Sequence, residues 1–516
     1  MVTNILKRNI SLTSIIWLVL AVLFLSVLAA ARPGFAVIVI ILGIFGILMH
    51  CYLHSPVAED ENFKRVYVRR YAAVTIVVFL FMPHLIYTMG DLGLVIMYGI
   101  PLLVLLFANY HVLATNKFKF KTNPVNMLLF MVILSVIASI IYGVFVKGVT
   151  LSWRDFLEIK APVYYFLVFN LFFQIDWEQK EIEKYFLRPL IIGGVITAII
   201  GVIQYIQIPG LNENVFIYWT EELHLKELLK TGSRRIFSTF HNSGAYGAFL
   251  LFLIAHIIGS YLSPGVKNRQ ASVFCLLLAI AALFMTGTKT SFVLFLVLIV
   301  IFPYFFYRQF KLKILSMASM AVILALLTIM IWPWIQDSYM LTRITSIGNS
   351  AVNVASYGTS VKPEEYLDET SIGRVALWYM AWPRVVESPI MGWGPGKQFL
   401  RTEGYFTEEG ETEIRFESSY LHILVRYGLI GIFLNFGLYL YMMNIQRKIL
   451  KLDDTPQTLR RVSVAHYSFG WLLLVAFLMA DFIFNLKLMA PLYASAGIGA
   501  SYLFAIAKQK KLNPIK

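Results

Sequence analysis

Residues 125–146 read VNMLLFMVILSVIASIIYGVFV, and this stretch decides the fold. It holds no charged residue and follows a connector carrying Lys117, Lys119 and Lys121. A helix rises about 1.5 Å per residue, so a run of this length crosses the ~30 Å hydrocarbon core of a bilayer. In lipid the backbone must satisfy itself, which leaves a helix or a closed barrel. The ten-residue alternation of barrel strands is absent. Working outward, similar runs stand at about 12–31, 35–53, 71–89, 92–114, 157–175, 189–208, 242–262, 271–287, 290–307, 314–333, 418–445, 462–484 and 488–507. The expectation is an all-α, polytopic membrane helix bundle of about fourteen transmembrane helices. Composition excludes several soluble domains: 59% of the 516 residues are hydrophobic and 14% charged, against about 25% charged in globular proteins.

The first run sits behind Lys7 and Arg8, as a signal core would. It is long for one, and Arg32-Pro33-Gly34 leads straight into a second span, so it reads as retained. Cys51 and Cys275 lie in or at the end of apolar runs and offer neither a disulfide framework nor metal spacing.

The net charge of +15 would suggest nucleic acid in a soluble protein. Here its placement explains it. Lys7/Arg8, Lys64/Arg65/Arg69/Arg70, Lys117 to Lys121, Lys180/Lys184/Arg188, Lys267/Arg269, Arg308/Lys311/Lys313, Arg447 to Arg461 and Lys508/Lys510/Lys511 fall in alternate connectors. That is the positive-inside pattern, and it puts both termini in the cytoplasm. No nucleic-acid partner is expected. The opposite side carries a loop at about 209–238 and a soluble-sized loop at 334–417. The larger loop is partly helical, with Val375, Trp378, Tyr379 and Trp382 at helical spacing. Pro383 predicts a kink or break, and Pro389 with Gly392, Gly394 and Gly396 predicts a tight turn. The chain divides into N-terminal membrane helices (1–187), a central segment holding the loop (188–445) and C-terminal membrane helices (446–516).

Several motifs carry no chemistry. Gly392-Trp393-Gly394-Pro395-Gly396-Lys397 looks like a phosphate loop, but Gln398 follows the lysine and no strand precedes it. Asp453-Asp454 reads as a solvated basic connector. No cluster has metal-ligand spacing, so no metal and no cofactor is expected. Three segments on the non-basic side read differently. Arg234-Arg235-Ile236-Phe237-Ser238-Thr239-Phe240-His241 places two forked donors where a phosphate or diphosphate could bind, or two interfacial anchors. Thr286-Gly287-Thr288-Lys289-Thr290 interrupts two apolar runs, as a cation site or a simple turn. Arg415-Phe416-Glu417-Ser418-Ser419-Tyr420-Leu421-His422 re-enters the membrane, where ionisable groups are costly unless paired or used.

With the loop helix, these segments resemble the O-antigen ligase and Wzy-type O-antigen polymerase family. Arg235 to Ser243 matches its Arg-x-x-Gly/Ser-Thr-Phe-x-Asn-Pro-Asn-like segment, with Ser-Gly for Pro-Asn. Thr286 to Thr290 matches a Thr-Gly-Ser-Arg-Gly-like segment, with Lys289 for arginine. Gly373, Arg374 and Trp378, then Pro389, Gly392, Gly394 and Gly396, match a Gly-Arg-x-x-x-Trp helix and its glycine turn. Glu417 to Leu421 and Arg426-Tyr427-Gly428 match a His-Asn-x-x-Leu-x-x-x-x-Glu-x-Gly-like segment, with Glu417 for histidine. The resemblance covers about Thr231 to Gly431.

It implies a glycosyltransferase of the bacterial cytoplasmic (inner) membrane, joining an undecaprenyl-diphosphate-linked glycan to an acceptor hydroxyl on the outer face. It also implies a lipid-linked glycan donor, a glycan or lipid acceptor, and other glycan assembly proteins as partners. Arg235, Arg374 and Lys289 are the expected diphosphate ligands, and Glu417 the catalytic base or acceptor-orienting group. Arg234, Arg415, His422 and His241 are further candidates, the two histidines also reading as packing residues. A diphosphate leaving group can be neutralised by arginines without metal. The missing histidine and the long chain lean toward a polymerase; a ligase acting on lipid A-core is the alternative. A lipid-linked oligosaccharide flippase is the rival from another class, but the sequence shows no inverted repeat.

Overall fold

The structure is a computed structural model. It describes residues 63–84, 86–149, 158–209, 211–219, 235–262, 269–288, 290–299, 381–395, 401–402, 412–413 and 418–512. The described part is all-helical apart from a two-residue antiparallel pairing of Arg401–Thr402 with Thr412–Glu413. The helices are α1 (Phe63–Phe81), α2 (Ile86–Thr115), α3 (Pro124–Phe145), α4 (Lys160–Gln174) and α5 (Gln179–Ile206). They continue with α6 (Ser243–Leu262), α7 (Arg269–Met285), α8 (Thr290–Ile299), α9 (Ser419–Leu450), α10 (Gln457–Met479) and α11 (Leu486–Leu512). Among the described residues, 7 helices are long and apolar enough to cross a membrane. The expected spans at 12–31, 35–53 and 314–333 lie outside the described residues.

Local chemistry sets the helix ends. Pro124 opens α3 behind Asn123, whose side chain accepts from Val125 N–H at 2.9 Å. Ser418 caps α9, which ends with Arg447 and Lys448 against the negative end of its dipole. A capping box of Glu178 and Glu181 opens α5.

Two expected spans are corrected. The run 71–89 is not one helix: α1 stops at Phe81, and Met82-Pro83-His84 are non-helical before α2 begins. Pro83 lacks an amide donor and disfavours helical backbone before it. Likewise 462–484 overshoots, because α10 ends at Met479 and residues 480–485 form a turn.

One hydrophobic core runs through the bundle, from Val68 on α1 to Ala500 on α11. It joins the N-terminal and C-terminal helices: α4 packs on α11, and α3 on α9. Helix α6 lies inside, with nearly every residue buried. By contrast, α3 turns Met127 and Phe145 outward at 70% and 83% exposure, a face suited to lipid rather than water. This is a multi-pass membrane protein.

The two ends of the bundle differ. At one end basic residues meet acidic partners: Arg65 with Glu178 at 2.6 Å, Arg69 with Glu181 at 2.9 Å, Lys121 with Asp176 at 2.7 Å, and Arg461 with Glu183. Arg69 and Arg70 sit within α1 rather than in a connector, and are buried there. Asp453 and Asp454 are exposed at this end, as a solvated connector should be. The opposite end holds the helix breaks just described, and the polar residues gather there.

Candidate functional site

The breaks at 82–84 and 480–485 open a cavity of about 200 Å³ at the end away from the basic connectors. Its walls draw on His84 beside the first break, Tyr98 on α2, Glu158 and Lys160 at the start of α4, His241 ahead of α6, and His422 on α9. Phe484, Asn485 and Lys487 complete it from the turn into α11.

His422 sits in the first turn of α9, 8% exposed. Its Nδ1–H donates to Asp481 Oδ2 at 2.5 Å. Asp481 is held in turn by Ser419 Oγ at 3.1 Å, and Ser419 Oγ accepts Phe482 N–H at 3.0 Å. A carboxylate on Nδ1 makes Nε2 the acceptor nitrogen of the neutral ring. Across the cavity His241 stacks on His84, ring centroids 5.7 Å apart, and meets the Asn485 amide at 3.5 Å. The Asn485 side chain also caps α11 by accepting from Leu488 N–H at 3.1 Å.

One turn beyond His422, Arg426 is buried and paired with Glu158 at 2.6 Å. Tyr427 OH also donates to Glu158, at 3.4 Å. The α9 helix breaks directly after this pair, at Gly428 (φ 62°, ψ −162°). Leu429 and Ile430 would ordinarily donate to Val425 and Arg426 in the helix. Instead they donate to the carbonyls of Pro389 and Ile390 at 2.8 and 3.3 Å. The two freed carbonyls accept Trp393 N–H and Gly394 N–H, both at 2.9 Å. The glycine turn therefore plugs the break in α9 bond for bond, satisfying groups that lipid could not. Two side chains brace it: Lys147 and Arg384 each lie 4.9 Å from the Trp393 ring centroid. The helical stretch leading into this turn, 381–387, continues for four residues past Pro383.

The segment from Arg235 to His241 is fixed equally closely. Phe237 and Ser238 N–H both donate to Gln204 Oε1 at 2.9 Å, and Thr239 Oγ1 donates to Leu80 carbonyl at 2.7 Å. Ile236 N–H donates to Met285 carbonyl at 3.2 Å, which docks the segment on the Thr286-Gly287 turn. Arg235 lies across that turn: a Cβ on Gly287 would stand 3.2 Å from its Cγ.

Of the residues singled out by sequence, the structure joins Arg235 to the Thr286 segment and places His241 and His422 on one cavity. The histidines are thus wall residues, not only packing residues. Lys289, Arg374, Arg234, Arg415 and Glu417 lie outside the described residues; Glu417 immediately precedes the α9 cap, Ser418. Sequence reasoning missed Glu158, Lys160, Asp481, Asn485 and Lys487. Their signal was the break at Pro83 and the polar turn between the last two spans. Arg426 stands where the family pattern has glutamate, and Glu158 supplies a carboxylate beside it from another helix.

No curated protein sequence matches the chain. The sequence pattern of the O-antigen ligase family matches residues 274–436, from within α7, across the large loop and the glycine turn, to the middle of α9. This multi-pass membrane protein therefore carries an O-antigen ligase domain over that stretch.

Proposed function

We propose that the protein is a metal-independent glycosyltransferase of the bacterial cytoplasmic membrane. It joins a glycan on undecaprenyl diphosphate to an acceptor hydroxyl at the outer face, with both termini cytoplasmic. The observation that carries this reading is the His422–Asp481 pair on a cavity at the helix ends remote from the basic connectors, partly inside the O-antigen ligase match. A glycosyl diphosphate is already activated, so the protein must hold the leaving group and take one proton.

In this reading His422 Nε2 accepts the proton of the acceptor hydroxyl while Asp481 holds the ring, a division of labour like that of a triad. The acceptor oxygen attacks the anomeric carbon and the bond to the diphosphate breaks. Arg235, with Arg374 and Lys289, takes up the charge on the leaving diphosphate, and Arg234 and Arg415 are further candidate cations for that role. Glu417, at the threshold of α9, orients the acceptor. The reading places a polymerase ahead of a ligase because Glu417 replaces the family's histidine.

Incubation of the purified protein with polyprenyl-diphosphate oligosaccharide tests this. Growth of long chains without a second acceptor is expected. Single transfer to an added lipid acceptor would make it a ligase, and no transfer to either would overturn the reading. Activity should survive a chelator; loss restored by a divalent ion would remove the metal-free part.

A further inference from the structure

Lys487 is 5% exposed and opens the first turn of α11. Its ammonium donates to the Thr239 carbonyl and lies 5.5 Å from the Phe240 ring centroid. Among the described residues no carboxylate pairs with it. A cation there also faces the positive end of the α11 dipole. A buried ammonium in that position is destabilising unless something negative offsets it, and with nothing bound it tends to give up its proton. The cavity in front of it contains a second lysine in a first turn, Lys160 of α4, stacked 3.9 Å from the Tyr98 ring centroid. The lining carboxylate, Glu158, is already taken up by Arg426.

We propose that this cavity recognises an acidic sugar residue of the glycan substrate, its carboxylate bound by Lys487. The ligand class rests on the glycan-transfer reading above. One carboxylate neutralises Lys487, whereas the diphosphate is assigned above to Arg235, which is not among the residues lining this cavity. The wall composition suits a pyranose: Tyr98 and Phe484 supply aromatic surface, and Asn485 and His241 supply polar groups. At about 200 Å³ the space is below the ~300–1,000 Å³ of drug-sized sites, which fits one ring and not a chain.

The test is binding to the full chain in detergent, with methyl glucuronide, methyl glucoside and inorganic pyrophosphate as separate probes. The glucuronide should bind at least about tenfold tighter than the glucoside, roughly the 1.4 kcal/mol that one charge-assisted contact supplies. Lys487→Met should erase that preference and leave glucoside binding in place. Should that variant not fold, the wild-type comparison still decides, together with Lys160→Met, expected to weaken the glucuronide several-fold. Equal affinity for the two sugars overturns the proposal. So does a preference that survives Lys487→Met, or displacement of the glucuronide by pyrophosphate in a Lys487-dependent way. Because binding needs no turnover, the two readings fail separately. Glucuronide preference without transfer would sink the transfer reading alone, and transfer of neutral glycans without the preference would sink this one alone.

Discussion

Gly394 donates its backbone N–H to the carbonyl of Arg426 at 2.9 Å, and so joins the end of the large loop to a break inside a membrane helix. The contact is one of four that replace the two helical hydrogen bonds lost at Gly428. It ties the loop's position to the residue that holds Glu158, and through it to the cavity wall.

The first prediction concerns that joint. Gly428 has a backbone conformation that is essentially glycine-only, and a Cβ there would stand 2.2 Å from the Ile390 carbonyl oxygen. At Gly392 a Cβ would meet the Arg426 carbonyl at 2.4 Å. Gly428→Ala and Gly392→Ala should each destabilise the protein by about 1–3 kcal/mol and depress transfer. Gly437→Ala, on the same helix with open space around it, should do neither. Thermal unfolding in detergent reads the difference. Equal unfolding of all three variants would mean the joint is not needed.

The second prediction concerns Glu158 and Arg426. Removing one partner of a buried pair strands the other charge, at about 3–5 kcal/mol. Glu158→Gln and Arg426→Met should therefore each be more harmful than the double variant. The exchange Glu158→Arg with Arg426→Glu should recover part of the loss. Additive effects of the single changes, read from a double-mutant cycle on membrane levels and melting, would show that the two residues act independently.

The fold class was legible because apolar run length is a direct readout of bilayer thickness. The resemblance was legible because its glycines are forced by contact: Gly392, Gly394 and Gly428 each have backbone where a Cβ would be. What sequence did not show is the cavity. Its residues come from six segments far apart in the chain, and no one of them outlines the cavity alone. Pro83 and Asp481 were the available signals, each hidden inside a run long enough to pass as one span. Hydropathy averages over such a run, so a polar break of three to six residues near its end disappears. The sequence offers His422 no partner, and so a packing reading stands beside its candidacy. In the structure its partner arrives instead from the turn after α10, which no periodicity within α9 could reveal.

The third prediction is sidedness. The segments that hold Arg65, Lys121, Glu183 and Arg461 share one end of the bundle, which the charge bias assigns to the cytoplasm. Asp454 is exposed at that end. With an impermeant maleimide applied to spheroplasts, Asp454→Cys should stay unlabelled, while Thr359→Cys in the large loop should label. The reverse pattern would put the cavity on the cytoplasmic face and end the outer-face reading.

The last prediction separates two residues that stand five positions apart, Glu417 and His422. General-base contributions are typically about 10²–10⁴-fold. If His422 takes the proton, His422→Gln should remove turnover by that factor while leaving donor binding and membrane level intact. Asp481→Asn should follow it, because an amide can present its N–H to Nδ1 and turn the ring to the wrong tautomer. Ser419 Oγ touches Asp481 but also holds Phe482 N–H, so Ser419→Ala should cost both stability and rate. Glu417→Gln then distinguishes the roles. As an acceptor-orienting group, Glu417 can be replaced by an amide that still hydrogen-bonds, and the acceptor KM should rise more than kcat falls. As the base, the same change should abolish kcat with KM little altered. Glu417→His sharpens the choice by restoring the residue usual in the family: it rescues transfer in a His422→Gln background only if position 417 can reach the same hydroxyl. Full activity of His422→Gln at normal membrane levels would return the base to Glu417 and leave the His422–Asp481 pair as a brace for the turn between α10 and α11.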